Sequence, residues 1–171
     1  MTFTPIDVVL RVAQATLGAS EVPANTNAGP FVARCLQTTG LPVGHPWCAA
    51  WTTMIGTTAL GAEWPVLASA SVQQQVDWAA KRQVRRVATE TPAQPGDLFA
   101  LYYPALKRWA HIGFVWTVAA DGTTVTTLEG NTSGTGSREG WLVASKTRTL
   151  TKQDRLIRWP LLLTSSASRD T

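Results

Sequence analysis

Apolar residues recur at helical spacing through the first half of the chain and in short strand-like runs through the second. Residues 5–17 put Ile6, Val9, Leu10, Ala13 and Leu17 on one helical face, with Thr4 placed to cap the helix, Pro5 in its first turn and Gly18 as its stop. Residues 19–29, ending Asn25-Thr26-Asn27-Ala28-Gly29, read as a loop. A second helix is predicted from Pro30 to Thr39, with Phe31, Cys35 and Leu36 facing inward and Gly40 ending it. After a Gly/Pro turn over 41–47, a third helix runs from Cys48 to Leu60 and stops at Gly61. A fourth spans Ala68 to Lys81, with Val72, Val76 and Ala79 or Ala80 inward.

After Pro92 the pattern changes. Pro95-Gly96-Asp97 marks a turn, with Asp97 as its cap, and strand-like runs follow at 97–103, 110–118, 123–129, 141–149 and 155–160. Asp121-Gly122 suits a hairpin between two of them. The Gly/Ser/Thr-rich stretch from Asn131 to Gly140 reads as a loop. Helices first and antiparallel strands second predict an α+β fold, with N-terminal helices packed on a C-terminal antiparallel sheet. One domain is expected over 1–163, followed by a flexible tail over 164–171.

Composition narrows the function. At 171 residues, 44% hydrophobic and 15% charged, the chain can bury a proper core and is not of disordered type. A net charge of +4 favours anionic partners. The basic residues are scattered, however, and the tightest cluster, Lys81-Arg82 with Arg85-Arg86, reads as a solvated helix end or turn. With no zinc-finger spacing or basic zipper region, nucleic acid is not an expected partner. Two cysteines allow one disulfide but no disulfide framework, and no Cys/His pair has zinc spacing, so no metal and no cofactor are expected. No apolar run reaches the length of about 18 residues that a membrane span needs. Asp7 and Arg11 interrupt the first apolar stretch, so no signal peptide is expected, and synthesis is placed in the cytoplasm. Eight tryptophans suit either core packing or a cleft for sugar or peptide.

The chemistry sits in four places. Cys48 stands where a turn enters a helix, and a helix N-terminus stabilises a thiolate through its unpaired N–H groups. The Cys48 N–H can also hold an oxyanion. His111, heading the run His111-Ile112-Gly113-Phe114-Val115-Trp116, is the candidate base. Glu129 and Asn131, in Glu129-Gly130-Asn131, share strand parity and are candidates to fix the imidazole's orientation. His45 is a candidate cleft wall, and Trp47, Trp51 and Trp109 are candidate substrate contacts. Cys35 reads as a small buried apolar residue.

Pro46-Trp47-Cys48-Ala49-Ala50-Trp51, Pro95-Gly96-Asp97, His111-Ile112-Gly113-Phe114-Val115 and Glu129-Gly130-Asn131, in that order and at those intervals, resemble the CHAP domain (cysteine, histidine-dependent amidohydrolase/peptidase), a branch of the papain-like fold. Glu21, Asn27-Ala28-Gly29 and Arg158 are also similar to it, so that the resemblance covers about residues 5–160. It implies cleavage of an amide bond in bacterial peptidoglycan, by an N-acetylmuramoyl-L-alanine amidase or a peptide endopeptidase. Cys48 would be the nucleophile, His111 the base, Glu129 the orienting acid and Asn131 an auxiliary residue. Some members bind calcium through an Asp-rich loop ahead of the cysteine. Here 21–29 has Glu21 but no Asp, so no calcium requirement is expected. The resemblance fits a monomeric phage endolysin or antibacterial effector acting at the wall after release or injection, with an immunity protein or delivery machinery as possible partners. A non-catalytic wall-binding module stays open as an alternative.

Overall fold

Six antiparallel strands form one sheet in the order β1-β6-β2-β3-β4-β5, in a computed structural model that describes residues 3–133 and 140–164. Helices α1 (Pro5–Gln14), α2 (Pro30–Gln37), α3 (Cys48–Leu60) and α4 (Val72–Lys81) come first. The strands β1 (Arg85–Val87), β2 (Leu98–Tyr103), β3 (Arg108–Val118), β4 (Thr124–Thr132), β5 (Leu142–Thr149) and β6 (Arg155–Ile157) follow, and α5 (Pro160–Thr164) comes last. This is the expected α+β arrangement. The loop expected at 131–140 lies outside the described residues from 134 to 139, and the expected tail lies outside them beyond Thr164.

Helix α3 is the centre of the packing. Cys48 through Gly56 are all buried, as expected of a helix that is apolar all round rather than striped. Its threonines hide their hydroxyls on the helix itself: Thr52 and Thr53 both donate to the Ala49 carbonyl. Around α3, aromatic rings interlock, with Trp51 edge-on to Phe114 at 5.6 Å and Trp64 against Trp159 at 4.8 Å. The core reading of the tryptophans therefore holds for Trp47, Trp51 and Trp159, which have no exposed surface.

Several boundaries differ from expectation, each for a local reason. Helix α1 is capped by Thr4 and Asp7 in a reciprocal box but ends at Gln14, leaving Leu17 43% exposed. Gly18 then adopts a φ of +83° and donates its N–H to Val143 of β5, so the chain leaves the helix for the sheet. Helix α4 starts at Val72, because Ser71 takes the cap position and accepts from the Gln74 N–H. Arg85 and Arg86 are not a solvated helix end: they lie in β1, paired with Ile157 and Leu156 of β6. The last expected strand stops at Ile157, and Pro160 opens α5 instead.

The turn before β2 is fastened to the end of β6. Asp97, buried, accepts from the Gln94 N–H as the turn cap and is gripped by Arg158 at 2.8 and 3.1 Å. Burial pushes the Asp97 carboxyl up, against the pull of Arg158. Removing the partner leaves that charge buried alone. Arg158→Ala is therefore expected to cost about 3 kcal/mol, read as a shift of the urea midpoint at unchanged m-value. A loss under about 0.5 kcal/mol, the scale of a neutral surface change, would show that the pair does not hold the turn.

Candidate active site

Cys48 is the first residue of α3, 4% exposed, with the unpaired N–H groups of the first helical turn around it. The residue before it is held from two sides. The Trp47 indole donates to Glu21 at 2.9 Å, and Glu21 also accepts from the Thr26 and Asn27 N–H groups at 2.7 and 3.0 Å. On the other side, the Asn131 amide oxygen accepts from the Trp47 backbone N–H at 3.2 Å, while its nitrogen donates to the Gly140 carbonyl.

His111 and Glu129 meet across β3 and β4. The imidazole Nε2 lies 2.7 Å from a Glu129 carboxylate oxygen, and both side chains have no exposed surface. Among the described residues the other nitrogen, Nδ1, has no formed hydrogen bond, which leaves it for Cys48. Two glycines make this approach possible. A Cβ at Gly113 would lie 2.5 Å from the Leu128 carbonyl and 3.0 Å from the Glu129 Cγ, so only glycine lets the glutamate lean toward His111. A Cβ at Gly130 would lie 2.7 Å from the Trp51 ring, so only glycine lets β4 come this close to α3.

Asn131 does not share the glutamate's place. The β4–β5 register is interrupted between Glu129 and Thr132, and Asn131 adopts a φ of +56°. Strand parity therefore fails over these two residues. Asn131 reaches the backbone before Cys48 and not the imidazole, so its position suits bracing the start of α3.

A family model described as the CHAP domain matches residues 40–131, more than half of the chain and the span that holds Cys48, His111, Glu129 and Asn131. The chain belongs to the CHAP domain family. No curated protein and no solved structure matches it. The CHAP family is one of hydrolytic amidases and peptidases acting on peptidoglycan, and the helices and six-stranded sheet agree with its papain-like fold.

Within this CHAP site the sequence does not point to Arg148. On β5, its guanidinium clamps Glu129 in a bidentate pair at 2.6 and 2.6 Å, and Thr127 adds a hydroxyl bond at 2.6 Å. Burial alone would raise the Glu129 pKa, but Arg148 and His111 outweigh it and hold the carboxylate well below its usual range. For His111 burial is again the largest influence, here lowering, yet the neighbouring Cys48 and Glu129 lift it to about 9. The contrast is Cys35, whose thiol burial pushes up to about 12 beside Met54, where it stays inert. Both cysteines are free, so the disulfide that the sequence allowed is not formed.

The other expected contacts separate. His45 lines a depression of about 170 Å³ with Cys48, Ala70, Val72, Arg108 and Ala110. Trp47 and Trp51 are corrected: their rings are wholly buried and cannot touch a substrate. Trp109 lines a neighbouring depression rather than that of Cys48. Among the described residues, no cluster of three or more His, Cys, Asp or Glu could hold a metal ion, and no helix is long and apolar enough to cross a membrane.

Two outcomes follow from the charge arrangement. Glu129→Gln removes an influence that raises His111 while burial, which lowers it, remains. The imidazolium then gives up its proton at lower pH, and the alkaline limb of kcat/KM should move down from about 9 by roughly one unit or more. A limb that stays in place would show that Glu129 does not hold the proton on His111. Arg148→Ala strands a buried carboxylate and should destabilise by about 3 kcal/mol, whereas Arg148→Lys, with one point charge and no fork, should recover part of it. Thermal melts of both variants check this, and equal losses would mean that the bidentate geometry is irrelevant.

Proposed function

We propose that this protein hydrolyses an amide bond of peptidoglycan with Cys48 as nucleophile, His111 as base and acid, and Glu129 as the group that fixes the imidazole. The observation that carries the reading is the buried line from a helix-terminal cysteine through His111 to a carboxylate kept charged by Arg148. Such a line gives the core little as packing, since burying charges costs stability even when they are paired.

In this mechanism the Cys48 proton rests on His111 Nδ1, and the thiolate attacks the amide carbonyl carbon. A C–S bond forms as the carbonyl π bond opens onto oxygen. The Cys48 N–H, at the positive end of α3, faces that oxyanion. When the carbonyl re-forms, the C–N bond breaks and the amine departs with the His111 proton. Water, deprotonated by the same imidazole, then cleaves the thioester and restores the thiol. Glu129 keeps Nε2 protonated and the ring oriented throughout. Asn131 acts through Trp47, as a positioning residue for the start of α3.

The bond cut is that of an N-acetylmuramoyl-L-alanine amidase or of a peptide endopeptidase, in a monomeric phage lysin or antibacterial effector brought to the wall by release or injection. An immunity protein that blocks the Cys48 depression suits the effector reading. Mass spectrometry of purified peptidoglycan after digestion decides the bond: free stem peptides mean an amidase, and cut stems or cross-links mean an endopeptidase. Cys48→Ala is expected to lose about 10³-fold or more in rate with an unchanged thermal melt. Product formation that survives in this variant would refute the mechanism.

A further inference from the structure

The depression that holds Trp109 has a character of its own. It has a volume of about 350 Å³ and is lined by Tyr102, Trp109, Lys152, Gln153 and Arg155. The Trp109 indole is fixed, with its Nε1 donating to the Gln153 carbonyl at 3.0 Å and its ring edge-on to Tyr102 at 5.6 Å. Two guanidinium groups lie over that ring, Arg155 at 5.1 Å and Arg85 at 5.9 Å from its centroid. These are like charges side by side, and Arg155 is pulled below its ordinary pKa first by burial and then by Arg85. Asp154, the nearest acid in sequence, is turned inward: it accepts from the Tyr102 and Thr151 N–H groups and the Thr151 hydroxyl. Among the described residues no carboxylate forms an ion pair with Arg85, Lys152 or Arg155. Asp154 and Glu90 favour the Arg155 cation only from a distance, and among the described residues neither forms an ion pair with it.

The depression also adjoins that of Cys48. Val72 and Ala110 line the Cys48 side. Their sequence neighbours Gln73 and Trp109 are joined by a hydrogen bond of 3.2 Å from the Trp109 N–H, and β3 borders both depressions. Arg108 adds a further cation on the Cys48 side, and no acidic residue lines either depression. Cations fixed around an indole ring, beside the Cys48 depression, suit a negative group carried on a wall glycan rather than a stacked nucleobase, because the guanidinium groups lie over the ring face.

We infer that the Trp109–Arg155 depression is a binding site for an anionic saccharide, carboxylate- or phosphate-bearing, next to the nucleophile. The inference deepens the peptidoglycan reading and rests on it for the choice of ligand. It makes Lys152, Arg155 and Arg85 the residues that select charged wall glycan over neutral glycan, from a site that does not touch the reacting atoms.

The Cys48→Ala protein, which cannot consume its ligand, is titrated calorimetrically with four probes. These are peptide-free strands of alternating N-acetylglucosamine and N-acetylmuramate, a poly(N-acetylglucosaminyl phosphate), neutral chitin oligomers of equal length, and single-stranded oligothymidylate. One of the two anionic wall probes is expected to bind about tenfold or more tighter than chitin and oligothymidylate, and the tighter of the pair identifies carboxylate or phosphate as the group read. Lys152→Gln with Arg155→Gln should lower that affinity about tenfold, and added salt should weaken it in the parent protein more than in the variant. Equal binding of chitin, tighter binding of oligothymidylate, or an unchanged affinity in the double variant would overturn the site. Digestion by wild type separates the two readings. Cleavage without selective binding leaves the mechanism and removes the site, and selective binding without cleavage does the reverse.

Discussion

A carboxylate without access to water, at Glu129, is the constraint that the rest of the site answers to. Left alone it would protonate or pull the strands apart. It is instead met by two donors from Arg148, one from Thr127 and the imidazole of His111. Each comes from the sheet, and the three strands that supply them, β3, β4 and β5, lie side by side. The charge is thus built into the stiffest part of the fold, while the cysteine it serves comes from a helix that packs against it. His111 and Cys48 belong to different elements, and their distance depends on how closely α3 meets β4.

That closeness is set by missing side chains. Gly130 leaves room for Trp51, one helical turn after Cys48, and Gly113 leaves room for the side chain of Glu129. Trp51 matters here as a spacer rather than as a contact for substrate, because its thickness fixes the gap between helix and strand. The tether from Asn131 to the backbone of Trp47 then fixes where the helix begins. Each residue of Glu129-Gly130-Asn131 has a separate mechanical duty: holding charge, admitting the helix and anchoring its first turn.

Much of this was legible in the sequence, for reasons that particular residues make plain. The third helix was read from Cys48 to Leu60, as observed, because a Gly/Pro turn and Gly61 bracket an apolar run. His111 and Glu129 stood out because ionisable residues inside β-rich runs are conspicuous. Arg148 did not, since an alternating Ser-Lys-Thr-Arg-Thr stretch reads as solvent-facing, and its partner lies on the neighbouring strand. Strand β1 was missed because three residues, two of them arginine, give no apolar period, and its pairing depends on a segment far along the chain. Aromatic residues beside a nucleophile invite a binding role, yet burial cannot be read from sequence proximity, and Trp47 and Trp51 went to the core while Trp109 went to the neighbouring depression. Parity failed at Asn131 because a positive φ interrupts the strand.

The position of β6 has a temporal meaning. It fills the gap between β1 and β2, although four strands are synthesised between β1 and it, and Arg158 beside it secures the turn that opens β2. A chain emerging from a ribosome can form its helices and the β2-to-β5 meander early, since those contacts are local in sequence. It cannot seat β1 or neutralise Asp97 until β6 has emerged. The last strand acts as a keystone, so that a growing chain is held short of the finished sheet until its final segment arrives.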